Sequence, residues 1–172
     1  MKVFLIGMPG SGKTTLGNQL SKAMDLDFID LDHEIAGKEG KNIPAIFNEE
    51  GEAYFRKVEA KLLRKITGSR KKFILATGGG TPCFYDNMNF MYDSGITLFL
   101  DVPVQELINR INDMQGKERP LLKAENSQKL QEKLEDIFNT RKRFYYMAHL
   151  TIEPLNTELN VLIDKIKEIS KN

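Results

Sequence analysis

The sequence has a single cysteine, Cys83, so it can form neither an internal disulfide nor a cysteine-rich metal site, and it suits a reducing compartment. Neither sign of charge is in excess: 25 Lys and Arg stand against 24 Asp and Glu, a net charge of +1. That balance gives no electrostatic reason for a nucleic acid or an anionic membrane as partner. No apolar run approaches membrane length. One basic residue precedes Val3-Phe4-Leu5-Ile6, and that run stops at a glycine loop, which is too short for a signal peptide. The two histidines, His33 and His149, are not at metal-ligand spacing. Repeats, low-complexity tracts and linkers are also missing, as is a guanine-reading N-K-x-D motif. The 172 residues are therefore expected to form one cytoplasmic domain, 1–172, with room for a real core.

What is present starts with Gly7-Met8-Pro9-Gly10-Ser11-Gly12-Lys13-Thr14, which fits G-x-x-x-x-G-K-[ST] in full. A short β-prone run precedes it, and an amphipathic helix follows, with Leu16, Leu20, Ala23 and Met24 on one stripe. Strand, glycine loop and helix form the context of a phosphate-binding loop. Its glycines let successive N–H groups point at one phosphate, and the helix N-terminus adds partial positive charge. Lys13 reaches the β- and γ-phosphates, and the Thr14 hydroxyl can ligate Mg²⁺. A plain glycine turn before a helix is the competing reading, and the agreement of every flank argues against it.

Downstream, strand and helix patterns alternate. Strands are expected at residues 27–30, 73–76, 96–100 and 150–152. Short helices broken at Gly37, Gly40 and Pro44 are expected over residues 33–47, and longer ones over 52–66, 85–92, 104–111, 127–147 and 159–169. The polar stretch 113–125, with Gly116 and Pro120, reads as a mobile loop. Five apolar strands separated by helices imply a three-layer α/β fold: a five-stranded parallel sheet with helices on both faces. Ligands then gather at the carboxyl ends of the strands.

Several residues there could carry chemistry. Asp30 and Asp32 close the second strand, expected beside the first in a simple βαβ unit. Each is either a helix cap or a group for Mg²⁺ and a substrate hydroxyl. Thr77-Gly78-Gly79-Gly80 is either a turn or a place where backbone N–H groups approach a ligand. The helix stripe Leu130, Leu134, Ile137, Phe138 continues onto Arg141 and Tyr145. A guanidinium on an inward stripe requires an anion, whether a structural carboxylate or a substrate carboxylate or phosphate. The run Arg141-Lys142-Arg143-Phe144-Tyr145-Tyr146 also reads as a nucleic-acid patch, which the neutral charge balance disfavours. Arg56, spaced to Glu52 and Glu59, taken alone is a solvated helix pair. Arg119 is either a surface residue or a phosphate clamp on a closing lid. Cys83, His149, Met88, Met91 and Arg70-Lys71-Lys72 read as structural or solvated.

Taken in order, Gly7 to Gly17, Phe28-Ile29-Asp30-Leu31-Asp32, Gly51-Glu52, Phe55-Arg56-x-x-Glu59, Ala76-Thr77-Gly78-Gly79-Gly80, Arg119-Pro120-Leu121-Leu122, and Arg141 with Tyr145 and Ala148 resemble the shikimate kinase family along nearly the whole chain. The phosphate loop is shared by many NTPases, whereas the other segments in this order are far more specific. The resemblance implies ATP·Mg²⁺-dependent phosphorylation of the 3-hydroxyl of shikimate, in chorismate and aromatic amino acid biosynthesis, by a monomer. It implies that Pro9, Gly10, Ser11, Gly12, Lys13 and Thr14 wrap the phosphates, with Thr14 on Mg²⁺ and Asp30 in its outer shell. Asp32 would bind shikimate hydroxyls, Arg56 and Arg141 its carboxylate, and Gly78, Gly79 and Gly80 would line the same site. Arg119 would swing onto the ATP phosphates, and Arg110 would lie by the adenine. The acceptor-binding segment would span about 32–60 and the lid about 112–125. Glu118 departs from the family, which often has a basic residue there. Kinases for gluconate or nucleoside monophosphates lack the Phe-Arg-x-x-Glu and triple-glycine combination, and a nucleotide-binding switch would show no acceptor-dependent turnover.

Overall fold

Five short apolar strands build the frame: β1 (Lys2–Ile6), β2 (Phe28–Asp30), β3 (Phe73–Ala76), β4 (Ile96–Leu100) and β5 (Leu150–Ile152). The structure is a computed structural model and describes residues 1–113, 127–153 and 157–171. All neighbouring strands pair in parallel, in the order β2-β3-β1-β4-β5. The expected five-stranded parallel sheet is therefore present, with one correction: β2 does not lie beside β1, because β3 is inserted between them. Every residue of β3 is buried, so it takes an interior place, while half-buried Phe28 and Asp30 leave β2 at the edge.

Alternation along the strands splits the core into two layers. Val3 and Leu5 pack with Leu20 of α1 (Lys13–Met24) and with Leu162, Ile163 and Ile166 of α7 (Leu159–Ile169). Phe4 and Ile6 face the other way. They join residues of α3 (Ile43–Ser69), α4 (Asn87–Ser94), α5 (Val104–Asp113) and α6 (Ser127–Tyr145). Met88 and Met91 are buried in that second layer, as their ordinary packing role requires. Each large apolar side chain removed from water contributes about 1.5–3 kcal/mol. Among the described residues no helix is long and apolar enough to cross a membrane.

Some element boundaries differ from expectation, each for a local reason. The inward face of α1 carries Gly17, Leu20 and Ser21, whereas Ala23 is exposed. Gly17 is inward because the Phe28 ring fills the space of a side chain there. Helix α2 (Leu31–Glu39) runs through Gly37 and stops only at Gly40, which has φ 66°. Helix α3 begins well before residue 52, capped by Asn42, whose Oδ1 accepts from Ala45 N at 2.8 Å. It kinks at Gly51, where φ is 82° and ψ 170°. The helix expected from residue 85 begins two residues later, after a 3₁₀ turn at Thr81–Cys83. Tyr85 and Asp86 sit in the left-handed region at φ 50° and 57°. Arg64 holds this bend by donating to Tyr85 O at 2.7 Å and Asn87 Oδ1 at 2.6 Å.

Candidate active site

The glycine loop leaves β1 and delivers Lys13 into α1 with a buried ammonium. Lys13 Nζ donates to the carbonyl oxygens of Gly7 (2.9 Å) and Met8 (2.8 Å) and to Ser11 Oγ (3.3 Å). Gly10 and Gly12 hold φ of 84° and 94°, the left-handed conformations that let the loop curl. The Thr14 hydroxyl donates to Asp30 Oδ2 at 2.9 Å. Asp30 Oδ1 accepts from the amides of Asp32 (3.1 Å) and His33 (3.3 Å), so Asp30 is the cap of α2 and Asp32 is not. Arg110 reaches the same loop: its Nη1 donates to Ser11 O at 3.2 Å, and its Nε to Glu106 at 2.9 Å.

The turn after β3 brings the remaining groups to this loop. A β-carbon on Gly78 would stand 3.0 Å from both Asp32 Oδ1 and Glu59 Oε1. One on Gly79 would stand 2.8 Å from Pro9 Cδ and 3.3 Å from Arg141 Nη1. One on Gly80 would stand 2.8 Å from Arg56 Cζ. Three successive glycines thus touch Asp32, then Pro9 and Arg141, then Arg56. Asp32, Arg56 and Arg141 lie round one short stretch of backbone, next to the phosphate loop.

Arg56 is not the solvated pair that its spacing alone suggests, being only 4% exposed. It donates through Nε and Nη2 to Glu52 Oε1, both at 3.1 Å, and through Nη1 to Glu59 Oε2 at 3.0 Å. Its guanidinium also lies over the Phe84 ring at 4.5 Å and the Phe55 ring at 5.1 Å. Glu59 is fully buried and accepts a 2.6 Å bond from the Thr81 hydroxyl. Burial pushes its carboxyl above the ordinary range, while Arg56 and Thr81 pull it back. The Thr81 contact gives no signal in the sequence, because it joins residues far apart in the chain.

Arg141 is half-buried, on the face of α6 that also carries buried Leu130, Leu134 and Tyr145. Lys142, Arg143 and Tyr146 of the same run are exposed, so the basic-aromatic sequence is divided between two faces. Asp101, another strand-end carboxylate, accepts from Tyr146 at 2.9 Å. The Cys83 thiol is half-buried and shifted upward by burial, which disfavours the reactive thiolate. Arg119, and the expected lid from residue 114 onward, lie outside the described residues.

The Thr14 hydroxyl and the Asp30 carboxylate offer hard oxygen donors beside the loop, a chemistry that suits Mg²⁺. Among the described residues no group of three or more His, Cys, Asp or Glu could enclose an ion. A cation here would keep most of its shell for water and phosphate oxygens, as Mg²⁺ does.

Comparison with known proteins adds three findings. The shikimate kinase family model matches residues 9–170. The shikimate kinase of Parabacteroides distasonis is 40% identical over 162 residues, covering 93% of this chain and 92% of its own. Two solved structures superpose closely. Shikimate kinase from Bacteroides thetaiotaomicron gives a TM-score of 0.87 at 31% identity, covering 100% of this chain and 99% of that one. The Acinetobacter baumannii enzyme, solved in complex with shikimate, gives 0.81 at 38% identity, covering 99% and 90%.

Proposed function

This chain belongs to the shikimate kinase family, and from that premise we infer that it transfers the γ-phosphoryl group of ATP to the 3-hydroxyl of shikimate, giving shikimate 3-phosphate and ADP. It is an ATP-dependent phosphotransferase of aromatic amino acid biosynthesis. The observation that carries the assignment of roles is the triple-glycine turn, which has Asp32, Arg141 and Arg56 against successive residues and Pro9 of the phosphate loop against the middle one.

Phosphoryl transfer demands alignment and charge neutralisation more than covalent chemistry. In this reading residues 9–14 wrap the phosphates, and the Lys13 ammonium exchanges its loop carbonyls for phosphate oxygens. Arg56 and Arg141 clamp the shikimate carboxylate, a planar anion suited to guanidinium groups. Gly78, Gly79 and Gly80 line the ring with backbone, leaving the ring close to the turn. Asp32 orients the attacking hydroxyl and accepts its proton late in the transfer. Thr14 would hold Mg²⁺ with Asp30 in its outer shell, and the ion supplies charge neutralisation across the phosphates when bound. Arg110 lies by the adenine, and Arg119 on a lid of about 112–125 closes over the phosphates and excludes water. The chain works as a single domain and a monomer in the cytoplasm, without nucleic acid or membrane.

A coupled ADP-release assay with shikimate, gluconate and AMP as alternative acceptors tests this reading. ATP turnover is expected to accelerate with shikimate alone. Acceleration by gluconate or AMP instead would transfer the assignment to another small-molecule kinase, and acceptor-independent behaviour would point to a nucleotide-binding switch.

A further inference from the structure

Among the described residues Tyr145 is the largest fully buried side chain, at 0% exposure, and it is a polar one. Its ring stacks on Phe99 of β4 with centroids 5.1 Å apart. A phenol so deeply buried needs a partner. Its hydroxyl finds one in the carbonyl oxygen of Gly79, donating across 2.6 Å, while Met8 Sδ of the phosphate loop lies 3.8 Å away. The phenol has one proton, and the shorter contact to the better acceptor takes it.

We infer that Tyr145 is a positioning residue for the acceptor: its hydroxyl fixes the peptide plane between Gly79 and Gly80, the stretch of turn that lies between Arg141 and Arg56. The inference rests on the acceptor reading above and deepens it. A trans peptide is planar, so anchoring the Gly79 carbonyl also sets the direction of the Gly80 N–H. Gly79 has no side chain with which to hold that plane, and Gly80 follows it without one either. A β-carbon on Gly79 would meet Pro9 on the loop and Arg141, one turn before Tyr145 on α6. One hydroxyl therefore ties the helix carrying the half-buried guanidinium to the backbone that its partner guanidinium of Arg56 also touches. Packing alone would be served by phenylalanine; the oxygen adds the registration of α6 on the turn.

The experiment is steady-state kinetics of the full-length wild type, Tyr145→Phe and Tyr146→Phe, varying shikimate and ATP separately, with thermal melts of all three. Tyr145→Phe keeps the ring and removes the hydroxyl, and with it the bond to Gly79 O and the contact with the Arg141 side chain on the same helix. Its KM for shikimate is expected to rise about tenfold, as the loss of one well-formed hydrogen bond to the site allows, while kcat and the KM for ATP stay within about threefold. Tyr146→Phe, on an exposed neighbour, is expected to match wild type in both KM values. A Tyr145→Phe variant with wild-type shikimate KM overturns the inference, even if it melts earlier, because the hydroxyl then serves only the core. A parallel rise in both KM values also overturns it, since that marks general loosening. If wild type itself shows no shikimate-dependent ADP release, the acceptor reading fails, and that result is separable because it appears before any variant is compared.

Discussion

The Arg56 guanidinium stands where a side chain on Gly80 would be. Gly80 has φ −93° and ψ −13°, a backbone conformation open to other residues, so its lack of a side chain answers a steric demand and not a torsional one. Glu52, Glu59 and the Phe84 ring hold the guanidinium in that space. Gly80→Ala is expected to push Arg56 off its partners and to raise the KM for shikimate roughly tenfold or more, since a displacement near 1 Å at a binding group is costly. The KM for ATP should move little. Steady-state kinetics check this, and an unchanged shikimate KM would show that Arg56 is not needed in that place.

Arg141 presents a different balance. It is half-buried, and among the described residues no carboxylate pairs with it, so its loss strands no buried partner charge of the kind that Arg56 would leave in Glu59. Arg141→Ala should therefore melt within a few degrees of wild type while losing most shikimate affinity. Truncating one side of a hydrogen-bonded charge pair typically costs 2–5 kcal/mol, so a rise in Kd of about 30-fold or more is expected. Equilibrium titration with shikimate reads it directly. Wild-type affinity in the variant would remove Arg141 from the acceptor site.

Much of this site is legible in the sequence because its signals are local. The phosphate loop is one unbroken motif between a strand and a helix, and Arg56 and Glu59 are spaced to meet on one helix. What sequence spacing cannot convey is burial contributed by other segments. Buried Arg56 meets the Phe84 ring and buried Glu59 the Thr81 hydroxyl, both from the segment that follows β3 in the chain. The anchoring of Gly79 by Tyr145 spans 66 positions and leaves no periodic trace. Strand order is hidden for the same reason. The position of β3 between β1 and β2 follows from long-range packing, although its four apolar residues mark it as an interior strand. The late start of α4 depends on two left-handed residues, neither of them glycine, held by Arg64 from another helix.

Asp32 can be tested without disturbing the fold, because the cap of α2 belongs to Asp30. Asp32→Asn keeps the size of the side chain and removes the proton acceptor. Turnover is expected to fall by about 100-fold or more, the lower end of general-base contributions, with an unchanged melting curve. A variant with near-normal kcat would assign Asp32 to hydroxyl binding alone and leave the proton to solvent or phosphate.

His149 is expected to give the protein's stability a pH dependence. Its Nδ1 accepts from the amide of Thr97 at 3.2 Å, its own amide donates to Thr97 Oγ1 at 3.0 Å, and its ring stacks on Tyr92 at 3.9 Å. A nitrogen that accepts from an amide carries no proton, so the folded protein holds the neutral ring with hydrogen on Nε2. Burial lowers its pKa below the ordinary 6.5. The unfolded chain then binds the proton more readily, so stability rises with pH in this window. The contribution is complete above about pH 6.5 and is lost as pH falls from there toward the lower folded value. Urea midpoints are therefore expected to drop between pH 7.5 and 5.5 in wild type. His149→Asn, whose Oδ1 can still accept from Thr97, should show a shallower slope over the same range. Equal slopes for the two proteins would mean that this ring does not titrate with unfolding, and that the acid loss comes from carboxylates elsewhere.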